Sequence, residues 1–282
     1  MKKIGFIDYF LDEWHANNYP EMIRNETNGE YQVCYAWAYC EPVEDGKSHI
    51  SNAEWAEKFQ VELCATMEEV IEKSDVLIVL SPDYPEMHEE LCRKPLASGK
   101  LTYVDKTFAP DKETAIRIFE NADANGTKCY SSSALRFASE LDEINTEEIH
   151  KIYSEGPGTL EMYSIHQIEP IVRLMKVRAK RIMYIGDVLH PSYLIEFEDG
   201  RIAQAYHRKD EARSFRITVV NEINEAKHYE IKSNFFGLFI KSLIQFFETG
   251  EVPVTHEQTI DVIAARTAVI EACKTPYTWI EL

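Results

Sequence analysis

The stretch Asp75-Val76-Leu77-Ile78-Val79-Leu80-Ser81-Pro82 decides the fold. Its five consecutive aliphatic residues do not alternate with polar ones. They suit a strand buried on both faces, the condition of a parallel sheet covered by helices. Before it, Thr66-Met67-Glu68-Glu69 has the capping-box pattern that opens a helix, predicted to run to Lys73. After it, Ser81-Pro82-Asp83 leads into a helix that must end before Gly99. The same alternation extends both ways. Residues 3–7 form an apolar strand, about 12–24 a helix, and 31–40 an aromatic, β-favouring strand. Ser51-Asn52-Ala53-Glu54 caps a helix through Phe59, residues 101–105 form a strand, 110–125 a helix and 127–131 a strand. Repeated βα units with short connections predict a doubly wound parallel sheet of Rossmann type over residues 1–132.

The pattern changes after about Ser133. Strand-like segments follow one another at 159–165, 180–188, 193–198, 202–208, 215–221 and 228–232, with a hairpin signal at Asp199-Gly200. Helices at 234–248 and from the Thr255-His256-Glu257-Gln258 cap to about Cys273 close the chain. Residues 133–282 are therefore expected to form an α+β domain with a mainly antiparallel open sheet. Its strands alternate apolar and polar positions poorly. That leaves a partly apolar sheet face and predicts a homodimer or higher symmetric oligomer.

Composition narrows the function. The 282 residues carry 30 Lys and Arg against 48 Asp and Glu, a net charge of −18, which disfavours phosphate-rich nucleic acid and anionic membrane surfaces as partners. No apolar run approaches the roughly 20 residues of a membrane span. The start Met1-Lys2-Lys3 resembles the basic beginning of a signal peptide, but Asp8, Asp12 and Glu13 interrupt the apolar stretch that should follow, so it reads as a first strand. Six cysteines form no C-x-x-C pair and no metal-ligand spacing, which predicts a reduced, cytoplasmic protein. Cys34 and Cys40, in one extended run, stand roughly 20 Å apart, too far for a disulfide.

The 75–82 strand, His88, Ala97-Ser98-Gly99-Lys100, Val104-Asp105-Lys106-Thr107, Leu135-Arg136-Phe137 and Ser164-Ile165-His166-Gln167-Ile168-Glu169 occur in this order. Phe246-Phe247-Glu248-Thr249-Gly250 through Pro253 follows them. The series resembles the Gfo/Idh/MocA oxidoreductases, relatives of glucose–fructose oxidoreductase and inositol dehydrogenase, over nearly the whole chain. The resemblance implies NAD or NADP as cofactor and a small-molecule substrate. It places Lys106 and His166 at catalytic positions: a lysine that stabilises developing alkoxide charge, and a histidine that accepts the hydroxyl proton. It puts Asp8, Phe10, Ser81, Pro82, His88, Asp105 and Arg136 at the cofactor end. The chain departs from the family's Glu-Lys-Pro turn, which reads Asp105-Lys106-Thr107, and from its D-x-x-x-H spacing, where Met162 stands four before His166. Glu169 is the nearest carboxylate able to orient the imidazole.

The largest departure is the dinucleotide turn. The glycines of G-x-G-x-x-G let backbone N–H groups approach a pyrophosphate at a helix N-terminus. Here Asp8, Phe10 and Glu13 occupy those positions. An anion 4 Å from a phosphate at an effective dielectric of 20 is repelled by roughly 4 kcal/mol. Asp12 and Glu13 instead suit the first turn of the helix whose dipole they satisfy. Asp8, Asp12 and His15 are residue types that bind metals, but acid-rich helix starts are common, and no metal is assigned. The basic cluster Arg173, Lys176, Arg178, Lys180 and Arg181 reads as a solvated helix end. Two functions follow. The first is a divergent NAD(P)-dependent oxidoreductase acting on a sugar, polyol or related hydroxy compound. The second is a non-catalytic ligand-binding or regulatory protein that retains the fold and has lost the dinucleotide motif.

Overall fold

In the computed structural model, which describes residues 1–208 and 214–282, the aliphatic run forms strand β4 (Val76–Val79) with all four residues buried. Beside it lies β1 (Lys2–Asp8), which pairs in parallel with β4 on one side and with β2 (Tyr31–Ala38) on the other. The sheet is completed by β3 (Glu62–Leu63) next to β2, and by β5 (Thr102–Val104) and β6 (Cys129–Tyr130) beyond β4. Its order is β3-β2-β1-β4-β5-β6, and every pair is parallel.

The helices begin where local chemistry places them. In α1 (Trp14–Glu26) the cap is Glu13. Ser51 and Glu54 close a reciprocal capping box on α2 (Asn52–Phe59), and Thr66 caps α3 (Met67–Lys73) through the Glu69 N–H. The Asp111 carboxylate accepts from the Thr114 N–H, 2.7 Å away, to start α5 (Lys112–Ala124); α4 (His88–Ala97) precedes it. Helix α3 packs against β1 at a point that only glycine admits. A Cβ on Gly5 would lie 2.3 Å from Ser74 Oγ and 2.5 Å from Val70 Cγ1.

The second sheet contains β7 (Lys151–Pro157), β8 (Ala179–Tyr184), β9 (Ser192–Phe197), β10 (Ile202–Arg208), β11 (Arg216–Val220), β12 (Ala226–Glu230) and β13 (Trp279–Glu281). Its order is β12-β11-β7-β10-β9-β8-β13, antiparallel except for the β7–β10 pair. One face carries Ile152, Tyr193, Ile195, Phe197, Ala203 and Ala205, all fully enclosed. The helices of this half are α6 (Leu160–Met175), α7 (Phe235–Thr249) and α8 (His256–Ala272). By contacts the chain divides into one unit of Met1–Ser132 with Ile240–His256, and a second of Ser133–Phe239 with Glu257–Leu282. All six cysteines are free.

One segment departs from its sequence reading. Residues 159–165 were expected as a strand, but they begin α6: Thr159 caps it, and Leu160, Ser164, Ile165, Ile168, Ile171 and Val172 are buried at helical spacing. The strand of that region lies earlier, at β7, where Lys151, Tyr153 and Glu155 alternate with inward-facing Ile152 and Ser154. The basic cluster straddles the end of α6 and the start of β8 rather than a single helix end.

The Gly5 contact yields a direct test. Gly5→Ala should destabilise the protein by about 1–3 kcal/mol, the usual cost of forcing extra volume into a packed site. Urea unfolding checks this, and an unchanged midpoint would contradict the close packing of α3 on β1.

Candidate active site

In the first unit the strand order reverses between β1 and β4, the place where open parallel sheets form a ligand crevice beyond the strand ends. The turn from β1 to α1 lies here, and six of its N–H groups are engaged, those of Tyr9, Leu11, Glu13, His15, Ala16 and Asn17. Glu13 Oε2 accepts from the His15 N–H at 2.7 Å, and Oε1 from the Ala16 N–H at 2.5 Å. The Leu11 N–H donates to Asn52 Oδ1 at 3.0 Å, and the Tyr9 N–H to Asp8 Oδ1 at 2.7 Å. The N–H groups of Glu13 and Asn17 donate to the carbonyls of Leu11 and Glu13. The two oxygens of Asp12 accept from Asn17 Nδ2 and the Ile50 N–H, both at 2.9 Å.

Around this turn three carboxylates gather. Asp8, at the end of β1, is buried, and its Oδ2 has no partner among the described residues. Burial, reinforced by Glu13, pushes its carboxyl well above the usual carboxylate range. Burial also pushes Glu13 up to about 7, with Asp105 acting in the same direction against His15. Asp105 is fully enclosed and ion-paired with His15 Nδ1. It also accepts from Tyr103 Oη at 3.2 Å and from the Lys106 N–H at 2.9 Å. Against the cost of burial, the His15 imidazole holds Asp105 below its ordinary value. The His15 ring stacks on Tyr19, with centroids 4.9 Å apart. Among the described residues, no group of three or more His, Cys, Asp or Glu could hold a metal ion.

The positions expected at the cofactor end are turned inward. Phe10 is buried, edge-on to His49 and Tyr84. His88 is fully enclosed. Its Nδ1 faces the Thr107 and Phe108 carbonyls at 2.9 and 3.1 Å, and its Nε2 faces that of Leu80 at 2.7 Å, so it braces the loops after β4 and β5. Ser81 is buried at a φ of 104°, a left-handed conformation unusual outside glycine, and its hydroxyl donates to the Tyr84 carbonyl at 3.0 Å. Pro82 is buried beside it. A pyrophosphate needs free N–H donors and a close backbone approach. This turn offers a helix start whose His15 and Ala16 N–H groups are taken by Glu13, a buried ring and three carboxylates, so its residues do not fit a dinucleotide phosphate. Lys106, immediately after Asp105, is partly exposed and contributes to holding that carboxylate ionised.

In the second unit, His166 sits in the middle of α6, not at a strand end as expected. Met162 lies one turn before it on the same helix and offers no carboxylate. The position is filled from elsewhere: Ser133 Oγ lies 2.7 Å from His166 Nδ1 and also accepts from the Leu135 N–H at 3.2 Å. The hydroxyl thus sets the orientation of the ring. Tyr163 and Phe215 flank it edge-on, with centroids 5.5 and 6.3 Å away. Glu169, expected to orient the imidazole, is committed to Arg136: the two form a buried pair at 3.0 Å. Burial raises Glu169 and lowers Arg136, each opposed by the other's charge. Arg136 also donates to Gln258, and its carbonyl accepts from Arg173 Nη1 at 2.6 Å, which makes it a brace between elements. Glu13 stood out in the sequence as an acid at a glycine position, whereas Ser133 did not stand out by residue type. Ser133 precedes a short 3-10 turn, and only the fold brings it to His166.

The raised Glu13 carboxyl has a thermodynamic signature. Its folded pKa of about 7 lies above the ordinary carboxylate value, so the native state binds the extra proton, and this contribution to stability is lost as pH rises from about 4.5 to 7. Glu13→Gln should flatten that decline relative to the unmodified protein in thermal unfolding. Parallel curves for the two proteins would contradict it.

No family model matches the chain, and no curated protein matches it. Solved structures do. Scyllo-inositol dehydrogenase from Lactobacillus casei, with NAD(H) and scyllo-inositol bound, superposes with a TM-score of 0.75 at 15% identity, over 99% of this chain and 98% of that one. Myo-inositol 2-dehydrogenase from Lactobacillus plantarum gives 0.72 at 12% identity over 100% and 99%. UDP-N-acetylglucosamine 3-dehydrogenase from Acidithiobacillus ferrooxidans gives 0.72 at 12% over 98% and 97%. With two sheets of matching kind and full-length correspondence at low identity, the chain carries the fold of the Gfo/Idh/MocA-type dehydrogenases.

Proposed function

We propose that the protein is a divergent oxidoreductase acting on the CH–OH group of a sugar, polyol or related hydroxy compound. The observation that carries this reading is the full-length fold likeness to inositol and sugar dehydrogenases. In this reading the unit of Met1–Ser132 with Ile240–His256 is the dinucleotide-binding-like domain, and that of Ser133–Phe239 with Glu257–Leu282 the substrate and dimerisation domain. Lys106 supplies a cation that polarises the substrate oxygen, because a fixed positive charge stabilises developing alkoxide. His166 exchanges the hydroxyl proton, oriented by Ser133 in place of the absent carboxylate at Met162. The free cysteines agree with a reducing, cytoplasmic location.

A second reading is favoured by one specific observation. The spent donors and carboxylates of the β1–α1 turn suit a ligand-binding or regulatory protein that has lost the dinucleotide. Calorimetric titration with the four nicotinamide nucleotides separates the two. The first reading expects binding weaker than usual for this fold, and the second expects none. With a substrate in hand, Lys106→Met should lower kcat/KM by about 100-fold or more. His166→Asn should flatten the pH–rate profile near neutrality as the titrating base is removed. Near-normal rates in both variants would reject these roles.

The second sheet supports a homodimer or higher oligomer. Its unburied face carries Leu194 and Tyr206 among charged neighbours, all only partly exposed. Light scattering at micromolar concentration should give a multiple of the 32.6 kDa chain mass, and a monomeric mass would contradict this.

A further inference from the structure

We propose that the Glu13 carboxyl is an internal occupant of the phosphate seat, a group within the chain that any dinucleotide must displace. The proposal holds under either functional reading. It limits affinity in an enzyme and excludes the nucleotide in a binding protein.

The seat is defined by the fold. A parallel sheet whose order reverses between β1 and β4 places the N-terminus of α1 beyond the strand ends. A helix start there presents unsatisfied N–H groups and the positive end of the dipole, the features that bind a phosphate. In this chain both features are used by Glu13. Its two oxygens take the N–H groups of His15 and Ala16 at 2.7 and 2.5 Å, one oxygen to each donor. A phosphate oxygen pair would make the same contacts, so the carboxylate and an external anion compete for identical donors.

Four further residues defend the position. Asp8 lies buried next to the turn with one oxygen unpartnered among the described residues, so it adds an acceptor and no donor beneath the seat. Asn52 holds the Leu11 N–H, and Asp12 is tied to Asn17 and Ile50, so the turn is fastened to α2 and the segment before it. His15, one residue into the helix, is ion-paired to Asp105 after β5, which fixes the register of the cap. Displacing Glu13 therefore requires breaking two cap hydrogen bonds while the helix start stays anchored.

The test uses inorganic pyrophosphate as the probe and Glu13→Ser as the variant, since serine still caps a helix start but removes the carboxylate. Calorimetry on the unmodified protein should show no saturable pyrophosphate binding in the low millimolar range. Glu13→Ser should bind it at least tenfold more tightly, and Glu13→Asp, which keeps a carboxyl at the cap, should behave like the unmodified protein. A gain of less than tenfold in folded Glu13→Ser would overturn the proposal. So would pyrophosphate binding by the unmodified protein as tight as by the variant. If Glu13→Ser fails to fold, hydrogen exchange on the unmodified protein without added anion decides. Protected amides at His15 and Ala16 support internal occupation, and exchange at the rate of exposed helix-start amides refutes it. Loss of the oxidoreductase reading, by absence of any turnover, would leave these results unaffected.

Discussion

The first unit depends on how it accommodates buried carboxylates at the ends of its strands. An ionised carboxylate out of water needs a cation or several donors, or it must take up a proton. Asp105 is solved by bonding: the His15 imidazole reaches it from α1 and, with the Tyr103 hydroxyl and the Lys106 N–H, holds its carboxyl below its ordinary value. Glu13 receives two helix N–H donors, yet burial still pushes its carboxyl up to about 7. Asp8 receives one donor and is left with the proton, its carboxyl pushed well up. Each solution pins a different piece of the β1–α1 turn, so the turn has one arrangement and the crevice inherits it.

The second unit uses a buried charge for a different purpose. Arg136 and Glu169 pair out of solvent, and the guanidinium continues to Gln258 on α8 while its carbonyl receives Arg173. A buried pair of this kind adds little net stability over an apolar substitute, but removing one partner leaves an uncompensated charge. The pair therefore specifies how α6 meets its neighbours. It also frees His166, one turn earlier on the same helix, to take its orientation from the small Ser133 hydroxyl. The imidazole stays partly exposed.

Much of the fold was legible because it is local. The continuous run 76–80 has one comfortable environment, between helix layers, and β4 is there. The Ser51 and Thr66 caps announced α2 and α3 within a residue, because a side chain three positions away from its N–H donor needs no help from the rest of the chain. The misread segment shows the limit. Thr159, Tyr163 and Ile165 favour strands individually, but burial at Leu160, Ser164, Ile168 and Ile171 follows a helical period. The outcome was set by what the segment packs against rather than by its own preference. Strand β7 escaped notice for the converse reason: its alternation is carried by a serine and a glycine, which give little hydrophobic signal.

By itself the sequence determined the alternation of strands and caps in the first half, the change of texture near Ser133, and the absence of glycines at positions 8, 10 and 13. Each is a property of neighbouring residues, and period and capping act over one or two turns. Tertiary structure alone decided the partners. His15 meets Asp105 across 90 positions, Arg136 meets Glu169 and Ser133 meets His166 across 33, and Asn52 reaches Leu11 across 41. Nothing in residue type or spacing selects among the many acids and hydroxyls available. The choice is made when burial removes water and each polar group must bond to whatever the fold has placed beside it.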